Sequence, residues 1–174
     1  MSRLRHAVAA LLLCAFGLAG ACGAERAEDA DVELDVETAQ WVADVRRAHE
    51  AADTALRAGQ VQAALQRLDG ALAANVPSEV QPEHRRAVHQ DLLFRVAQAQ
   101  LQAGRSGEAR AAAERGLALG RAADLFTANL LIARGQALEA DKRDTEAAAS
   151  YYEALEINRV LLGAALGQPE AGVP

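Results

Sequence analysis

Histidine, cysteine and serine side chains carry most of the chemistry a protein can do unaided, and this 174-residue chain has four histidines and two cysteines. His84 and His89 look at first like a pair of metal ligands. Five residues along a helix turn through roughly 140°, so the two imidazoles leave the axis in different directions and do not easily share one ion. His49 is far from both in sequence, and no third ligand accompanies them. No serine or cysteine has a histidine at the spacing of a known nucleophile motif. The stretch AGRSGEAR, residues 103–110, has neither the lysine nor the preceding strand of a phosphate-binding loop. These residues read as helix surface. No catalytic residue, metal or cofactor is expected, and the chain is not read as an enzyme.

The elements that carry these residues are helices. From Thr38 onward apolar residues recur at helical spacing, with breaks at Gly59, Val76-Pro77, Gly104, Gly120 and Asp141. No run alternates with period two, so strands are not expected. The fold class is all-α. The formal charge is −6. Clustered basic charge is what nucleic acid and anionic lipid surfaces demand, so neither is an expected electrostatic partner.

The N-terminus is different in kind. Arg3, Arg5 and His6 precede an almost wholly apolar run from Ala7 to Ala21, which ends in the small residues Ala19-Gly20-Ala21. A basic start, a short apolar middle and a small-residue exit are the parts of a secretory signal. The run is shorter than the roughly 20 apolar residues of a spanning helix. Residues 1–21 are therefore expected to direct export and to be removed, taking Arg3 and Arg5 but no acid, so that −6 becomes −8. Ordinary signal peptidase would leave a soluble periplasmic protein. The segment Leu18-Ala19-Gly20-Ala21-Cys22 also resembles the lipobox of bacterial lipoproteins, although the leucine stands one residue further from the cysteine than usual. Cleavage there would make Cys22 the first residue and the point of lipid attachment. Cys14 lies in the removed segment, so Cys22 would have no disulfide partner, which favours the lipoprotein reading. One acyl chain holds a protein only marginally, at about 0.8 kcal/mol per buried methylene; several chains hold it firmly. Residues 22–37 are acidic, poor in apolar surface and expected to form a disordered tether. Residues 38–166 form the helical domain, and 167–174 read as a disordered tail.

Within the helical part three segments align: residues 48–72, 93–117 and 131–155. Each puts a small residue early in a first helix (Ala52, Ala97, Gly135) and an alanine twelve positions later in a second (Ala64, Ala109, Ala147). Four residues on stand Leu68, Ala113 or Tyr151, and four more bring Leu72, Leu117 or Leu155. Small residues at facing positions let two helices approach to about 8–10 Å. The pattern resembles the tetratricopeptide repeat, TPR. It departs from that family in lacking its early aromatics, in an arginine at Arg134 where apolar residues are usual, and in spacings longer than about 34 residues. The resemblance implies antiparallel helix pairs stacked as a short right-handed solenoid of about three repeats. Trp41 and Val42 are expected to cover the first pair. The last helix, from Thr145 to about Leu162, is expected to cover the final one.

In TPR proteins partners usually lie along the groove of the first helices. That resemblance carries over to Arg46, His49, Asp53 and Arg57 in the first unit and to Asp91, Phe94, Gln98 and Gln102 in the second. The third unit supplies Asn129, Ile132, Gln136 and Glu139. Phe94 and Ile132 are candidate anchors, since aromatic and aliphatic anchors dominate interface energies. The expected function is an exported, lipid-anchored adaptor that binds another envelope protein or peptide. Alternatives are a structural spacer, a pilotin-like assembly factor for a secretin or pilus, and a soluble periplasmic TPR protein.

Overall fold

The structure is a computed structural model that describes residues 35–167. The expected signal segment, Cys22, most of the tether and the tail beyond Gly167 lie outside the described residues. Six helices and no strand occur among the described residues: α1 Val36–Arg57, α2 Val61–Leu72, α3 Pro82–Gln102, α4 Ser106–Ala118, α5 Leu125–Ala140 and α6 Asp144–Ala165. The first begins two residues inside the segment expected as tether. Asp35 explains this, because its carboxylate accepts a hydrogen bond from the Thr38 backbone N–H at 2.9 Å and caps the helix. Thr38, through its side chain and then this N–H, holds the Asp35 carboxyl below its usual pKa. Asp124 caps α5 on Thr127 in the same way.

One kind of turn closes α1, α3 and α5. Gly59, Gly104 and Lys142 each adopt a left-handed backbone, with φ of 72°, 72° and 60°. In each turn the next residue donates its N–H five positions back: Gln60 to Ala55, Arg105 to Gln100, Arg143 to Leu138. This arrangement satisfies carbonyls that a helix end leaves open. Glycine reaches the conformation freely, whereas Lys142 adopts it with a β-carbon in the way.

Helices α1 and α2, α3 and α4, and α5 and α6 pack across these turns. Helix α3 also packs on α2, α4 on α5, and α3 on α5. The core is built from alanine and leucine. Ala52, Ala64, Ala97, Ala109, Gly135 and Ala147 are all buried, beside Leu65, Leu68, Leu92, Leu93, Leu130 and Leu131. A methyl group on Gly135 would lie 2.7 Å from Tyr151 Cδ1, and one on Gly116 would lie 2.6 Å from Leu130 Cδ2. Both glycines therefore let a large side chain from another helix lie against backbone. Trp41 is buried, but Val42 is 46% exposed and does not cover the first pair as expected; it faces away from the core while Trp41 and Val45 turn toward it. Helix α6 runs longer than expected at both ends, and Val160 and Leu162 in its last turns, with Leu166 at its cap, are exposed rather than packed over the final pair.

One buried polar chain ties α3 to the end of α4 and the start of α5. Gln90 is wholly buried; its amide donates to the carbonyls of Gly116 and Gly120 at 3.0 and 2.8 Å. Its own carbonyl oxygen accepts from Arg86, whose other amino group donates to Asp124 at 2.9 Å. Burial alone would raise the Asp124 pKa, but the Thr127 N–H and the Arg86 guanidinium outweigh it and hold the carboxyl below its usual range.

Candidate functional site

Helices α1, α3 and α5 bring the groove residues read from the sequence onto connected surface. Arg46 and Arg57 are exposed on α1, with His49 and Asp53 half-buried between them. On α3 Asp91, Phe94 and Gln98 are half-buried and Gln102 is exposed; on α5 Asn129 and Ile132 are half-buried, Gln136 and Glu139 exposed.

Several of these meet across helices. Arg95 Nη1 donates to Asp53 Oδ1 at 2.9 Å, and Arg95 Nε lies 3.4 Å from Asp91 on its own helix. His49 Nε2 stands 3.4 Å from Asp91 Oδ2, in a direction that makes no hydrogen bond, and has no other partner. Burial, together with the Arg95 charge, pulls the His49 pKa below 6.5 against the opposing pull of Asp91 and Asp53. The ring is therefore neutral at neutral pH, and its approach to Asp91 is a contact between a dipole and a charge. Further along, the Gln98 amide donates to the Gln136 carbonyl oxygen at 2.9 Å, joining α3 to α5. Tyr151 donates its hydroxyl to Glu139 at 2.8 Å, and burial plus that carboxylate raise the Tyr151 pKa to about 12.

Phe94 and Ile132 do not stand free as anchors. Both pack against the core and expose only part of their surface. Arg46 pairs with Glu50 one turn on, and Arg57 donates to Thr54; both pairs are exposed and worth little. The face therefore offers guanidinium and amide donors, carboxylate acceptors and the edges of two apolar side chains. No protein-family model, curated protein or solved structure matches the chain.

Arg95 is the residue that sequence reasoning missed. It joins Asp53 to Asp91, yet its position on α3 carries no periodic or motif signal. Arg134, expected out of place, donates to Ser150 Oγ at 2.9 Å and stands beside Glu153, which also accepts from Arg121. The sequence did contain one findable signal, an aspartate three residues before a threonine at Asp35 and at Asp124, where each begins a helix. His84 is exposed and His89 half-buried on α3. His89 Nε2 is buried without a partner, and burial with the Arg85 charge lowers its pKa. No group of three His, Cys, Asp or Glu among the described residues is gathered to hold a metal, and no helix there is long and apolar enough to cross a membrane.

Proposed function

We propose that this chain is a binding protein of TPR type, exported and lipid-anchored at Cys22, that holds another envelope protein or peptide along the face shared by α1, α3 and α5. In this reading the three helix pairs are antiparallel and stack as a short right-handed solenoid. The single observation that carries the reading is the lateral bonding of the groove positions. His49 stands against Asp91, Asp53 bonds Arg95, and Gln98 bonds Gln136, so one polar strip crosses three successive first helices. Amide groups, which both donate and accept, and guanidinium groups, which only donate, suit the backbone of an extended peptide.

Two experiments test it. The tagged chain is purified from envelope extracts, and Gln98→Arg with Gln136→Arg is expected to cut the retained partner at least about tenfold with the helical circular dichroism unchanged. Retention at the unsubstituted level overturns the groove. Phe94 is unsuited to this purpose, since its substitution disturbs the core. Labelling of growing cells with a radioactive fatty acid is expected to mark the protein and to fail for Cys22→Ser. An unlabelled protein released in soluble form replaces the anchor with ordinary cleavage.

A further inference from the structure

The outer side of α6 is an apolar seam that nothing among the described residues covers. On α6 Tyr152, Leu155 and Leu162 are between 59% and 64% exposed with Arg159 between them, and Leu166, the residue that caps its end, is 64% exposed. Their spacing is three, four, three and four residues, which is the seam of a two-stranded helical coil. Helix α4 shows what such a face does elsewhere in the chain. Leu117, the counterpart of Leu155 in the aligned segments, is buried in the core, with α5 packed beside it. Helix α6 has no helix after it among the described residues, and so Leu155 stays open.

We infer that this seam pairs with the same seam of a second copy, the two α6 helices running antiparallel about a two-fold axis near Ile157. A closed two-fold contact requires one surface to be complementary to itself. Here it is. With the axis at Ile157, Tyr152 of each copy lies opposite Leu162 of the other, and Leu155 opposite the aliphatic stem of Arg159. The Arg159 guanidinium then falls beside Glu156 of the other copy. In one copy Arg159 already pairs with its own Glu156 at 3.1 Å, so dimerisation exchanges one ion pair for an equivalent one and leaves no charge buried alone. The exposed parts of these side chains present on the order of 500 Å² per copy. Two copies bring about 1,000 Å², the lower bound for a specific interface, so the dimer is expected to be weak, with a dissociation constant on the order of 10 μM to 1 mM.

Sedimentation equilibrium of the full chain in density-matched mild detergent tests the pairing. A monomer–dimer equilibrium in that range is expected; a single monomeric species up to about 1 mM overturns the proposal. Leu155→Glu with Leu162→Glu is expected to abolish the dimer while the helical circular dichroism is kept. Association that persists in this variant arises elsewhere and overturns it too. Glu156→Arg alone is expected to weaken association about tenfold, since it sets a like charge against Arg159 of the other copy twice in each dimer. Adding Arg159→Glu is expected to restore it. Failure of that double variant to recover overturns the two-fold register about Ile157. The test is separable from the groove reading, because Gln98→Arg and Gln136→Arg lie off α6 and are expected to leave the dimer unchanged.

Discussion

Single residues here act mainly through size and desolvation. Gly135 is the clearest case of size, because the Tyr151 ring occupies the space its β-carbon would take. Gly135→Ala is expected to destabilise the fold by about 1–3 kcal/mol in urea unfolding, the cost of forcing a packed ring aside. Tyr151→Leu in the same chain is expected to recover part of the loss, which an effect of helix propensity alone would not do. His49 and His89 show desolvation. Both have pKa values lowered in the folded chain, so the unfolded chain takes up protons first as the pH falls below about 6.5. Stability is therefore expected to drop as the pH falls through about 6.5, read as a falling melting temperature. The double variant His49→Gln, His89→Gln is expected to show a flatter profile around that pH. Asp124, whose pKa is also lowered, adds a second loss only below about pH 4, as the unfolded carboxyl binds its proton first.

At the scale of elements, the three closing turns are one device used three times with two residue types. Gly59 and Gly104 meet the left-handed backbone without strain; Lys142 meets it with a side chain. Lys142→Gly is accordingly expected to stabilise the protein by about 1 kcal/mol in chemical denaturation, and Gly59→Ala to destabilise it by a similar amount. The helix breaks at Gly59, Gly104 and Asp141 were readable because glycine and short polar residues punctuate helical periodicity. The start of α1 at Val36 was not read, since the cap at Asp35 sits inside an acidic run that resembles a tether by composition. Gln90 gave no warning of its role either. A glutamine in a helix is ordinary, and only the approach of the α4 end makes it a buried donor to two carbonyls.

The molecule as a whole is unevenly held. Helix α5 buries residues on several sides, Thr127, Ala128, Leu130, Leu131, Ala133, Gly135, Ala137 and Leu138, whereas α6 buries only Ala147, Ser150 and Ala154. Helix α1 has another weakness. Its first turns and the α2–α3 connection border an open groove of about 920 Å³ beside Trp41 and Pro77, and the Trp41 indole N–H has no partner. Local opening follows such differences in burial. Amide hydrogen exchange is therefore expected to be slowest in the middle of α3 and α5, faster in the first turns of α1, and fastest in α6 beyond Ile157. Uniform protection through α6 would mean that its outer face is covered in solution, as the α6 pairing requires at high concentration.

The amino-acid sequence by itself determined that the chain is helical and where its helices break, because period and punctuation are local properties of the backbone. It also placed small residues at matched intervals, and those positions are buried in the structure. Which polar groups meet was decided only by the tertiary structure. Arg95 reaches Asp53 over 42 positions of chain, and Gln98 reaches Gln136 over 38. Helix packing sets those distances, and a side chain's partner across a helix interface depends on the rotation and register of both helices. The same reason explains Phe94 and Ile132. Their types suggested anchors, but the angle at which α3 and α5 pack turned both toward the core.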